Sequence, residues 1–228
     1  MIDKNDYTEC LLKIKHHPEF AGMSERDMDE LVNAITIKEY HRGQVLYDQG
    51  DPRNNFYLII SGIVKSLHYD ENGDEKLYFY IKEGKTFPFI GLFSGENYSY
   101  SAETMSEVKL AIMPMQLFEK LLKKNPDMMI SVIKEMGRII NTTEIQLRKM
   151  VTTSAKKRVE SAIEFLGEQI GEKQPDGTIL IPYPTTLIEL SKISGTTRET
   201  TSQMVSELVK DQKILYGKKY FRILTDNK

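Results

Sequence analysis

The chain has 228 residues, 40% of them apolar and 28% charged, with a formal net charge of −2; this composition suits a globular protein with room for two domains and excludes disorder. No apolar run approaches the ~20 residues of a membrane span and the start MIDKNDYTEC is too polar for a signal peptide, so a cytoplasmic protein with no membrane partner is expected. The single cysteine, Cys10, cannot form an internal disulfide, and alone it builds neither a thiolate metal site nor an iron–sulfur cluster.

Residues 23–35 read as a short helix, with Ser24 as N-cap and Met28, Leu31, Val32 and Ile35 on a core face. From about Ile35 to Pro114 the pattern changes to short β-branched and aromatic runs between turn residues: VLY at 45–47, FYLIISG at 56–62, IVKSLHY at 63–69, KLYFYI at 76–81 and VKLAIMP at 108–114. Asn72-Gly73 marks a tight hairpin, and Gly43, Gly50 and Gly62 stand where a barrel must turn its corners.

A helical stretch follows from Met115 to Met150, broken near Asn125-Pro126. In its second part Met129, Ile133, Met136, Ile140, Thr143, Leu147 and Met150 alternate at spacings of four and three, a heptad seam on a helix of ~35 Å. Such a seam packs either on its own domain's core or on a second copy of itself. The all-β segment before it supplies no helical partner, which favours a homodimer. Thr152-Thr153-Ser154 then caps a helix with Val159, Ala162, Ile163, Leu166 and Ile170 on one face. Three parts are expected: 1–114, 115–151 and 152–228. The last carries 12 basic against 10 acidic residues and the remainder 19 against 23, a weak asymmetry toward nucleic acid.

Within 185–212, Thr186 and Glu189 form a capping box opening one short helix, Gly195 suits the turn, and Thr196-Thr197-Arg198-Glu199 opens a second helix with Met204, Val205, Leu208 and Val209 inward. Two helices at this spacing make a helix-turn-helix. Its outward residues Arg198, Glu199, Ser202 and Gln203 carry base-reading chemistry: arginine suits guanine, glutamate suits cytosine N4 and glutamine suits adenine. The same residues also suit a solvated helix face. KILYGKKYFRIL at 213–224, two apolar strands around Gly217-Lys218-Lys219, adds a hairpin wing whose lysines suit phosphates, and ILIPY at 179–183 adds a strand.

With these residues in view, the chain resembles the Crp/Fnr family of catabolite-activator-like regulators across nearly its whole length. The match is carried by HRGQVLYDQGD, by FYLIISGIVK with Gly62, by the seam helix and by SGTTRETTSQMVSELVKDQKI at 194–214. The resemblance implies an α+β fold: an N-terminal β-roll of the cyclic-nucleotide-binding jelly-roll type, a long dimerisation helix and a C-terminal winged helix-turn-helix. It further implies double-stranded DNA and RNA polymerase as partners and a homodimer on a palindromic operator. Base reading falls to Arg198, Glu199, Ser202 and Gln203, and phosphate contact to Thr197, Lys192, Lys210, Lys218 and Lys219.

In cyclic-AMP-binding relatives a glutamate holds the ribose, and an arginine and a serine hold the phosphate. Alignment on Ser94-Gly95-Glu96 places Phe89, Tyr98 and Ser99 there, so a cyclic nucleotide is not expected. The cassette around Phe87-Pro88 resembles that of Gram-positive regulators of arginine catabolism and anaerobic growth. His16, His17, His41 and His68 form no haem-ligand pattern, and no cofactor or metal is expected. An unknown small-molecule effector would lie among Phe87, Phe89, Tyr98, Ser99, Tyr100, Thr142 and Thr143; alternatively these aromatic rings only fill the roll. The competing function is a ligand-binding module whose winged helix contacts protein instead of DNA. P-loop, GxSxG and HExxH motifs are lacking, so an enzyme is not expected.

Overall fold

Among the described residues, eight short strands between Thr36 and Pro114 follow the alternation of apolar runs and turn residues. The computed structural model describes residues 4–69, 71, 73 and 75–224. Asn72 of the expected hairpin, and the side chain of the seam residue Met150, lie outside the described part. Two compact units divide the chain after Ile140.

In the first unit, strands β1 (Thr36–Tyr40), β2 (Val45–Tyr47), β3 (Asn55–Ser61), β4 (Ile63–Tyr69), β5 (Glu75–Lys82), β6 (Thr86–Phe87), β7 (Ser101–Thr104) and β8 (Val108–Pro114) make two antiparallel sheets. Their orders are β1-β8-β3-β6 and β2-β7-β4-β5. β3 is buried except at its two ends, and β4 is buried or half-buried up to Leu67 and exposed at His68 and Tyr69. Gly62 joins them at φ 90°, and a Cβ there would meet the Glu107 carbonyl at 2.3 Å, so only glycine fits this corner.

Helices α1 (Lys4–Lys15), α2 (Glu25–Ala34) and α3 (Met115–Lys124), with the first part of α4 (Pro126–Met150), belong to the same unit. Ser24 caps α2 by accepting from the Asp27 amide. Ile14, Phe20, Leu31, Phe56, Phe118, Leu121 and Met128 form one core beside the roll. A second core inside the roll is largely aromatic, with Tyr47, Tyr57, Phe87, Tyr98 and Tyr100 around Val64 and Leu110.

The second unit contains α5 (Ala155–Ile170), α6 (Leu187–Ser194), α7 (Arg198–Lys210) and a small sheet in the order β11-β12-β10-β9. Its strands are β9 (Glu172–Lys173), β10 (Ile179–Leu180), β11 (Ile214–Gly217) and β12 (Tyr220–Ile223). Ser154 is the N-cap of α5, and Val159, Ile163, Leu166, Leu190, Val205, Leu208, Ile214 and Phe221 fill its core. Each such burial contributes about 1.5–3 kcal/mol relative to exposure. β10 is shorter than the ILIPY run, although the Ile181 amide still bonds the Phe221 carbonyl at 2.9 Å. Val209, expected inward, is 37% exposed because it lies in the last turn of α7. The fold is the expected α+β arrangement ending in a winged helix.

Candidate nucleic-acid interface

Local bonds fix the angle between α6 and α7. Thr186 accepts from the Glu189 amide while Glu189 Oε2 accepts from the Thr186 amide at 2.7 Å, closing the capping box. Gly195 ends α6 in the left-handed conformation, φ 59°. Beneath the turn a chain of hydroxyls runs from Ser194 through Thr196 to Thr201, at 2.8 and 2.7 Å, and Thr201 donates to the Thr197 carbonyl at 2.9 Å. Arg158 on α5 donates to the Ser194 carbonyl at 3.3 Å and the Thr152 carbonyl at 2.7 Å, tying the turn to the helix behind it.

Thr197 is the N-cap of α7, accepting from the Thr200 amide, so Arg198 and Glu199 occupy its first turn. Their side chains are 63% and 79% exposed, 4.0 Å apart, and Glu199 is not the cap. Gln203 is exposed one turn on, its amide 3.5 Å from Glu207, and Ser202 is half-buried. Lys192 and Lys210 are exposed on α6 and α7.

In the wing, Gly217 pairs with Tyr220, leaving Lys218 and Lys219 as a two-residue turn with φ of 51° and 69°. Two positive values in succession match the hairpin turn that asparagine and glycine adopt most easily, and lysine holds it here at a cost. The Thr185 amide donates to the Lys219 carbonyl at 2.7 Å, linking the wing to the segment entering α6.

Along α4 the heptad residues divide. Met129 and Met136 pack partly on the core of the first unit, beside buried Met128 and Val132. Ile133, Ile140 and Leu147 are 58%, 64% and 64% exposed, and Thr143 is exposed too. The seam therefore presents an apolar stripe that the described residues leave uncovered.

Inside the roll Tyr47 stacks on Tyr98 with 3.7 Å between centroids and on Tyr57 with 5.7 Å, and Tyr57 stacks on Phe87 at 5.1 Å. Burial, then the Tyr100 hydroxyl, push the Tyr47 phenol well above its usual pKa. Tyr47 and Tyr57 escaped the sequence reading because each sits in a short run whose inward face only the sheet register reveals. The expected effector residues of the roll divide between its two cores. Phe87, Tyr98 and Tyr100 belong to this aromatic core, whereas Phe89 packs edge-on against Phe56 in the other. Ser99 is exposed, and Thr142 and Thr143 fall in the second unit.

The Cyclic nucleotide-binding domain family matches residues 37–125. Over 183 residues the chain is 30% identical to the HTH-type transcriptional regulator ArcR of Staphylococcus aureus (strain Newman), a match covering 78% of this chain and 75% of that protein. The chain belongs to the Crp/Fnr family of transcription regulators. Solved structures agree on the fold of this Crp/Fnr chain. FixK2 from Bradyrhizobium japonicum matches at TM-score 0.70 and 17% identity over 84% of this chain and 93% of its own. TTHA1359, a transcriptional regulator of the CRP/FNR family from Thermus thermophilus, matches at TM-score 0.63 and 23% identity over 83% and 94%.

Two residues of this Crp/Fnr roll that align with the ribose and phosphate holders of cyclic-AMP-binding relatives carry no charge. Phe89 is buried against Phe56, and the Tyr98 hydroxyl bonds both the amide and the carbonyl of Asn55 at 3.0 Å, so neither offers a charge to a phosphate. A phosphate buried there would forfeit charge-assisted bonds of about 1.5–3 kcal/mol each.

Proposed function

We propose that this regulator acts as a cytoplasmic homodimer that reads a palindromic operator through α7. The observation that carries the reading is the exposure of Arg198, Glu199 and Gln203 on one face at the N-terminal end of a firmly capped helix, beside a wing tipped by Lys218 and Lys219. An α-helix presenting its first turns fits the major groove, where arginine, glutamate and glutamine distinguish base pairs. Thr197, Lys192, Lys210 and the wing lysines hold phosphates and set the register.

The exposed stripe of Ile133, Ile140 and Leu147 supports pairing of α4 with the same helix of a second copy, since water-exposed isoleucine and leucine at heptad spacing gain by mutual burial. Two recognition helices ~34 Å apart then address successive major grooves on one side of the duplex. RNA polymerase is the downstream partner of such a regulator. A small-molecule signal in the roll would be an uncharged, ring-bearing compound, because the interior is aromatic with phenolic hydroxyls.

Salt dependence tests the DNA reading. Affinity for duplex DNA should fall linearly on logarithmic axes with a slope of about −0.9 per neutralised phosphate. A winged helix that contacts protein instead would show no such DNA affinity at low salt.

A further inference from the structure

The turn joining β5 to β6 is gripped from two sides by groups that titrate. On one side the 3-10 turn Pro18–Phe20 lays the Glu19 carboxyl against the Thr86 hydroxyl, with the two residues 6% and 4% exposed. His17 bonds the Gly84 carbonyl through Nε2 at 3.1 Å and accepts the Glu19 amide at Nδ1 over 3.3 Å, which requires the neutral ring. On the other side Lys85 reaches Glu135 of α4 at 2.9 Å, and Arg138 holds the same carboxylate through Nε and Nη2 at 2.8 and 2.6 Å. Lys13 of α1 pairs with Glu83 at 3.1 Å on the rim.

Two carboxylates thus lie within the electrostatic reach of two cations, and Lys85 and Arg138 both bond Glu135. Arg138 first, then Lys85, hold Glu135 down at about 2. Glu19 is in the opposite position. Burial, reinforced by repulsion from Glu135, lifts its carboxyl to about 7 against the pull of Thr86, Lys85 and Arg138. Burial, then Lys85, lower the pKa of His17 against the pull of the Gly84 carbonyl, in the direction of the neutral ring that its two bonds require.

We infer that Glu19 is a proton-operated latch joining the N-terminal turn, β6 and α4. With its proton on, Glu19 is a neutral partner of Thr86 while Lys85 stays on Glu135. With its proton off, the buried charge draws Lys85 toward itself and away from α4. β6 ends at Phe87 and leads into the 88–97 segment of the roll, and α4 carries the exposed stripe, so the latch couples two parts a regulator would need to couple. That consequence for DNA rests on the proposed function; the latch itself does not.

The test uses the full chain without DNA. The Glu19 side-chain carboxyl is followed by carbon NMR from pH 4 to 9, assigned by its absence in Glu19→Gln. Amide-exchange protection of residues 128–139, corrected for intrinsic rates, is compared at pH 6 and pH 8. A midpoint near 7, with protection falling about fivefold between the two pH values in the wild type and staying at the pH 6 level in Glu19→Gln, is expected. A midpoint below about 5.5, unchanged protection, or the same fall in Glu19→Gln would overturn the latch. If the variant does not fold, the wild-type titration, assigned through Glu19→Asp, decides. Failure to bind DNA would count against the proposed function alone.

Discussion

Tyr98 bonds Asn55 twice, its hydroxyl accepting from the backbone amide and donating to the backbone carbonyl, each at 3.0 Å. A side chain from the segment after β6 thereby closes the start of β3, and its ring stacks on Tyr47 at 3.7 Å. Tyr98→Phe keeps the stack and strips both bonds, leaving two backbone groups unsatisfied. Denaturant unfolding should show a loss of about 1–3 kcal/mol.

Cyclic AMP should leave the melting temperature of the chain unchanged. A ligand present at a hundred times its dissociation constant would add about 2.7 kcal/mol of stability, an effect that a thermal melt detects easily. A clear upward shift would mean that the aromatic core opens to admit a phosphate after all.

Arg198→Ala should weaken operator binding by about 1–3 kcal/mol and relax preference at one base pair of each half-site. The change touches no core residue, because the Arg198 side chain is 63% exposed, so unfolding should be unaffected. Competition between operators differing at that base pair measures the effect.

The wing separates stability from function. Replacing Lys218-Lys219 by Asn-Gly relieves two left-handed lysines and should stabilise the second unit by about 1 kcal/mol or more. It should also weaken DNA binding uniformly across sequences, with the salt slope shallower by about 0.9 for each phosphate that is no longer neutralised. Unfolding and binding measured on the same variant should therefore move in opposite directions.

Ile140→Glu places a charge in the exposed stripe of α4, where the native side chain is 64% exposed. Sedimentation should find the variant monomeric at concentrations where the unmodified chain is a dimer, since a buried unpaired carboxylate in the seam is strongly unfavourable. An unchanged dimer would move the interface elsewhere.

Much of this was legible in the sequence because it rests on local chemistry. Thr186 with Glu189, Gly195 before Thr197, and two strands around Gly217 announce the winged helix within forty residues or so. The heptad residues marked α4, although spacing alone did not show that Met129 and Met136 would turn partly to the core of their own unit. β1, β6 and β7 were not read: β6 has two residues, and Ser101–Thr104 is a polar strand defined by its pairing with β2 and β4. α1 also escaped, its KNDYTECLLKIK lacking a clear apolar stripe. The bonds from Thr86 to Glu19 and from Lys85 to Glu135 were invisible for a simpler reason, since only the tertiary fold brings three distant elements to one turn.

Selecting bound duplexes from a random oligonucleotide pool and sequencing the winners shows whether a dimer reads DNA through α7. An inverted repeat is expected whose half-site centres lie one helical turn apart, ~10 base pairs, or a multiple of it, with base preferences that change in Arg198→Ala and persist in the wing variant. Enrichment of a single unpaired site, or of no sequence at all with or without added metabolite extract, would contradict a dimer that reads DNA through α7.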